Sequence, residues 1–161
     1  MKHASFGAMP CPVARSLEHV GEWWSMLILR DALHGYKRFD EFEQSLGIAP
    51  GILARRLKTL VEAGMLERRQ YTAKPPRYEY LVTDRCRDFE TVLHSLLAFG
   101  NRHFSPGERN VVIVDSQTGV EAEPVLIDSR SGRPLSDPRF QWAAGPAADA
   151  EVQRRYAKAS A

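Results

Sequence analysis

The 161-residue chain predicts an α+β fold: a helical body, then a β-hairpin, a long helix and a small β appendage. Three observations predict it. Apolar residues recur at spacings of three and four from Val13 to Val61, the period of a helix. The period falls to two between Leu66 and Thr83, then returns to three and four from Phe89 to Phe104. Beyond that, two apolar runs each end in Asp-Ser-x-(Thr/Ser)-Gly, one offset from the other by 13 residues.

The first helix is expected over Pro12 to Val20, with Val13, Leu17 and Val20 on one side and Gly21 as its break. From Trp23 to Leu33 the pattern is apolar almost all round, as in a central buried helix, and His34-Gly35 closes it. A third helix runs from about Phe39 to Ser45 and stops at Gly47. Ile48-Ala49-Pro50-Gly51 turns the chain, and Pro50 is placed to open a fourth helix to about Ala63. Leu53, Leu57, Leu60 and Val61 form its inner face. At 100° per residue the outer face holds Gly51, Arg55, Lys58, Thr59 and Glu62, with Arg56 on the flank. Gly64 stops it.

Leu66 to Tyr71 and Tyr78 to Thr83 read as two strands. The basic, proline-bearing segment Thr72 to Arg77 between them reads as a loop too long for a tight turn. Thr83-Asp84 can cap a fifth helix reaching about His103, whose broad apolar stripe exceeds what its own domain requires. Val111 to Gly119 and Val125 to Gly132 are the two strand-turn units. In each, Asp suits local amide bonding and Gly supplies a positive φ. Ala143 to Ala161 reads as a loose tail or a marginal helix.

Hydrophobic residues at 43% and charged residues at 26% are the proportions of a globular chain, and a net charge of +2 implies no partner. The distribution of charge does. Between Ala49 and Arg77 there are seven basic residues and only Glu62 and Glu67 against them. A concentrated basic stripe on a near-neutral chain is the footprint of a phosphate-binding surface. Helices, a turn, a helix with a basic outer face and a hairpin with a basic tip make, in that order, a winged helix-turn-helix. The fourth helix would enter the major groove with Arg55, Lys58 and Thr59 outward. Pro50 and Gly51 would set its N-terminus close to the DNA, Arg56 would flank it, and Lys74 and Arg77 would meet phosphate or the minor groove. The partner expected is double-stranded DNA. A rival of a different class is a winged-helix module that uses the same surface for a protein partner.

Cys11-Pro12-Val13, Gly21-Glu22-Trp23-Trp24, Leu27-Ile28-Leu29-Arg30, Arg38-Phe39-Asp40-Glu41-Phe42, Leu53-Ala54-Arg55-Arg56-Leu57-Lys58-Thr59-Leu60, Gly64-Met65-Leu66-Glu67-Arg68 and Pro75-Pro76-Arg77-Tyr78-Glu79-Tyr80 carry a specific resemblance. In this order they resemble the HxlR-type winged-helix transcriptional regulators of the MarR-like superfamily, over about Cys11 to His103. The resemblance implies a homodimer on a two-fold-related operator, a repressor role, and dimer contacts from the first and fifth helices. From the resemblance together with the residue pattern beyond it, the chain reads as an N-terminal arm (1–10), the winged-helix domain with dimerisation helices (11–104), a β extension (105–142) and an Ala-rich tail (143–161). It departs from the family pattern at Cys86, where such proteins often carry glycine, and at Gly51, often a polar residue in the recognition helix. Some relatives sense oxidants or electrophiles through a cysteine placed like Cys11, which makes Cys11 the candidate redox sensor. Cys86, near Arg85 and Arg87, is a weaker one.

Nothing else points to chemistry. His3, His19, His34, His94 and His103 have no metal-ligand spacing, Asp40, Glu41 and Glu43 read as a solvated helix face, and Ser25 has no base, so no metal, cofactor or catalytic residue is expected. Trp23, Trp24, Phe39, Phe42, Tyr78 and Tyr80 read as core. A pocket between the fifth helix and the DNA-binding body is the expected place for a small aromatic or quinone-like effector. Met1 to Met9 has no apolar run suited to a signal peptide. Trp23 to Leu29, the longest apolar stretch, is far short of the roughly 20 residues that span a bilayer, so a cytoplasmic location without membrane association is expected.

Overall fold

Four helices open the chain: α1 (Pro12–Val20), α2 (Trp23–Leu33), α3 (Phe39–Leu46) and α4 (Pro50–Glu62). The computed structural model describes residues 6, 7, 9–105, 107 and 109–157; the beginning of the expected arm and the last residues of the tail lie outside them. Pro12 and Pro50 start their helices where an amide hydrogen would find no partner. Gly47 ends α3 in the left-handed region with φ of 59°, a conformation that costs a side-chain-bearing residue energy. Between α1 and α2 a Cβ on Gly21 would collide with the Leu17 carbonyl oxygen, so the corner is closed to larger residues.

Ile28 and Leu29 of α2, Phe42 of α3, and Leu53, Leu57 and Leu60 of α4 are fully buried and form one core with Ile48, Met65 and Leu66. Truncating any of these leucines to alanine costs about 2–5 kcal/mol. One polar contact fixes α3 on α2. The Ser45 hydroxyl donates to Asp31 Oδ2 at 2.7 Å, while Arg30 Nε donates to Asp31 Oδ1 at 2.8 Å, so the buried carboxylate is satisfied from both sides. Trp23 departs from its expected place in the core. At the first position of α2 it faces outward and is 74% exposed, because the helix turns Ser25, Ile28, Leu29 and Ala32 inward.

The hairpin differs from expectation in length. β1 (Leu66–Ala73) and β2 (Pro76–Val82) pair antiparallel as far as Ala73 with Pro76, leaving Lys74 and Pro75 as a two-residue connection with a cis peptide between them. Thr72 and Arg77 are strand partners rather than loop. Pro76 had argued for a loop, yet proline is tolerated as the first residue of a strand, where its missing donor faces away from the ladder. A bulge between Gln70 and Thr72 leaves Tyr71 unpaired. The hairpin is tied to the helical body by a bridge between Arg38 and Glu79 and by the Tyr80 amide donating to the Lys37 carbonyl at 2.7 Å. Thr83 caps α5 (Asp84–His103): its hydroxyl oxygen accepts from the Cys86 amide, and its proton points at the Gly64 and Met65 carbonyls.

The chain divides into two compact units, residues 1–94 and 95–161, with the division falling within α5. In the second unit each repeat is a hairpin closed on itself. β3 (Ile113–Val114) pairs with β4 (Glu121–Ala122), and Ile127 bridges to Pro134. The Asp115 carboxylate accepts from the Gln117 and Thr118 amides, and the Asp128 carboxylate from the amide and hydroxyl of Ser131. Gly119 and Gly132 follow at φ of 70° and 67°. Those bonds to the charged form hold both carboxyls below the usual range: through the two amides at Asp115, and through the Ser131 hydroxyl and then its amide at Asp128. The Ala-rich tail contains α6 (Ala150–Ala157), capped by Asp149 and anchored by buried Val152.

Candidate DNA interface

The two helices of the turn motif are positioned from below. Glu41 Oε2 accepts from the Lys37 and Arg38 amides at 2.7 and 2.9 Å, closing the N-terminus of α3. These two bonds hold the Glu41 carboxyl below its ordinary value. It is thus a cap rather than part of a merely solvated face. With Leu53, Leu57 and Leu60 at zero exposure, α4 has one rotation about its own axis, and that rotation decides which side chains reach solvent.

Arg55 is exposed, and no acidic residue pairs with it among the described residues. Pro50 and Gly51 are exposed at the start of α4, and among the described residues a Gly51 Cβ would meet nothing within 4 Å beyond its chain neighbours and its own turn of backbone. Lys58 is exposed and leans loosely on Glu62, 3.7 Å away, a surface pair that phosphate can displace cheaply. Thr59 is half-buried, and its hydroxyl donates to the Arg55 carbonyl at 3.1 Å, so only its oxygen lone pairs remain for another partner. Arg56 is placed differently from the sequence expectation. Its guanidinium turns inward to Glu22 at 2.8 Å, its side chain is 17% exposed, and its buried Nε has no partner. A flank position at 100° from Arg55 faces α1 and α2, and Glu22 captures it there. Arg56 braces the reading helix rather than joining its outer face.

On the hairpin, Lys74 stands at the tip and Arg77 beside it, both exposed and without an acidic partner among the described residues. Arg69 is neutralised by Glu79 at 2.6 Å. Arg68 lies flat over the Tyr78 ring, 3.5 Å from its centroid, and Arg38 stands 5.1 Å from the Tyr71 centroid. Stacking of this kind holds a guanidinium in place without cancelling its charge. Arg38 and Arg68 were not singled out from the sequence. The available signal was the diagonal placing of Arg68 and Tyr78 across the strands, which needs the register, and the bridge from Arg38 to β2, which needs the fold. The surface therefore combines a helix carrying an exposed arginine with a hairpin whose tip is doubly basic.

Residues 19–108 match the model of the HxlR-like helix-turn-helix family. The chain belongs to that family. Among HxlR-like proteins and their kin it is 34% identical over 141 residues to the HTH-type transcriptional regulator Rv3095 of Mycobacterium tuberculosis, spanning 87% of this chain and 89% of that one. A transcription-factor structure from Pseudomonas aeruginosa, PA1374, is 47% identical with a TM-score of 0.65 and covers 90% of this chain and 99% of its own. The redox regulator HypR in its reduced form is 29% identical with a TM-score of 0.54, covering 58% of this chain and 95% of its own. HypR thus matches little beyond the winged helix, whereas PA1374 and Rv3095 extend over the appendage as well. The HxlR-like family is one of DNA-binding transcriptional regulators and not of enzymes, and the chain is a winged-helix regulator of that kind. Among the described residues no helix is long and apolar enough to cross a membrane, and no three His, Cys, Asp or Glu side chains are grouped to hold a metal ion.

Proposed function

We propose that this HxlR-like protein is a homodimeric repressor that reads an operator with Arg55, assisted by Lys58 and the Thr59 oxygen, and grips flanking phosphate with Lys74 and Arg77. The observation that carries this reading is the solvent-facing Arg55, without an acidic partner among the described residues, on a helix whose opposite side is wholly buried. Pro50 and Gly51 let the helix N-terminus approach the groove closely. Apolar side chains exposed on α1 (Val13, Leu17) and on α5 (Val92, Leu96, Phe99) supply the surface for a second copy. Two copies then set their reading helices about one DNA turn apart. A regulator of this kind acts on the chromosome, in the cytoplasm.

Control by a thiol signal is assigned to Cys11 and not to Cys86. Cys11 is partly exposed at the N-cap of α1, whereas Cys86 is fully buried and its thiol is pushed up to about 11 by desolvation. The likeness to a redox regulator, HypR, supports the assignment. A small-molecule effector is compatible with the same scheme.

The test is fluorescence anisotropy on the mapped operator at several salt concentrations. Arg55→Ala is expected to cost about 1–3 kcal/mol at one base position, and Lys74→Ala to weaken all sequences alike while lowering the salt slope by about one. Wild-type protein that shows no sequence-selective, salt-sensitive binding would overturn the proposal in favour of a protein partner on the same surface. For the thiol, operator affinity of Cys11→Ser that responds to mild peroxide as wild type does would remove Cys11 from the scheme.

A further inference from the structure

The C-terminal half of α5 and the first hairpin of the appendage enclose a cavity of about 440 Å³, within the range of small-molecule sites. Neither the winged helix nor the dimer scheme uses it. Leu97 and Ile113, both half-buried, give it an apolar wall. Two ion pairs also line it: Arg102 Nη2 meets Glu123 Oε1 at 3.3 Å, and Arg109 meets Glu121. The Arg102 and Glu123 side chains are 63% and 81% exposed, so their attraction is screened and each is open to exchange for a better partner.

The balance of these charges selects the ligand. Among the described residues, two cations and two anions leave the lining neutral, so it does not favour an ion of either sign. An incoming carboxylate that displaced a glutamate from its arginine would sit beside that glutamate, like charge against like. An incoming ammonium ion would do the same to an arginine. A zwitterion avoids both penalties, because its carboxylate takes the guanidinium and its ammonium takes the displaced glutamate in one event. Guanidinium suits the first half, since among the described residues each arginine is paired through one nitrogen and its fork carries further donors for a carboxylate. The apolar wall then requires an apolar body next to the paired charges. We infer that this cavity binds a free α-amino acid with a large apolar side chain, its charged end between the two arginine–glutamate pairs and its side chain against Leu97 and Ile113.

Calorimetric titration of the full chain, with no DNA present, tests this independently of the DNA reading. The probes are L-phenylalanine, 3-phenylpropionate (no ammonium) and 2-phenylethylamine (no carboxylate). Saturable binding of phenylalanine at one site per chain is expected, with each single-charge analogue weaker by about tenfold or more. Arg102→Gln, Arg109→Gln and Glu123→Gln should each lower phenylalanine affinity by about tenfold while leaving the unfolding midpoint near wild type, as surface positions do. Absence of saturable phenylalanine binding, equal affinity for all three probes, or unchanged affinity in all three variants would overturn the inference.

Discussion

Gly51 separates what the reading helix needs for folding from what it needs for DNA. It occupies the second position of α4, is exposed, has no positive φ, and has open space where a Cβ would project. Nothing in the protomer requires glycine there. Gly51→Ala therefore removes unfolded-state freedom and raises helix propensity without a clash. It should stabilise the protein by about 0.5–1 kcal/mol. On DNA the same methyl group stands between the helix N-terminus and the groove. If the backbone approaches base edges or phosphate at this point, the added carbon forces the helix outward and loosens contacts worth about 1–3 kcal/mol, or roughly five- to 150-fold in affinity. Urea unfolding gives the first quantity and fluorescence anisotropy on the operator gives the second. The expected result is a higher unfolding midpoint together with weaker binding. A lower midpoint would refute the open environment ascribed to Gly51, and unchanged affinity would refute its close approach to DNA.

Other perturbations separate bracing from reading. Arg56→Met keeps the volume of the inward side chain and releases Glu22, 49% exposed, to water; stability should change by less than about 1 kcal/mol, and operator affinity should stay within a few-fold of wild type, in contrast to Arg55→Ala. Titration with a thiol reagent at mildly alkaline pH should modify Cys11 rapidly and Cys86 only on unfolding, since Cys86 is fully buried with its thiol raised to about 11; equal rates in the native protein would contradict that packing. Glu41 has a folded-state carboxyl held below its ordinary 4.5 by the Lys37 and Arg38 amides, so it lends stability above the unfolded value that is lost as pH falls through the folded one. Acid unfolding of Glu41→Gln should lack that share of the pH dependence, and identical acid transitions in both proteins would show that the cap is not maintained in solution.

The parts legible in the sequence are those decided within a turn or two of chain. Leu53, Leu57 and Leu60 announce the inner face of α4 because a period near 3.6 residues repeats whatever surrounds it. The two Asp-x-x-(Thr/Ser)-Gly turns are closed by bonds between residues two to four apart. What escaped depends on distant partners. Arg55 and Arg56 are adjacent and chemically identical, and Glu22, brought in by the packing of earlier helices, separates the arginine held inward from the one left exposed. Lys74-Pro75-Pro76 reads locally as a loop between short strands, while Pro76's place at a strand's first position follows from its pairing with Ala73. Hydrophobicity alone points Trp23 to the core, and the direction of the first turn of α2 faces it outward. The Arg102 and Arg109 cavity is built from segments whose proximity no local pattern encodes.

The hold that the chain around Lys37 has on the second strand of the hairpin, through Tyr80 and the Arg38–Glu79 bridge, limits how such a protein can be controlled. Groove-reading helix and basic tip hang from one common scaffold, so a signal cannot advance the one while retracting the other. Any adjustment of grip has to move this scaffold whole; in the proposed dimer, that means resetting its distance from the matching scaffold of the second copy.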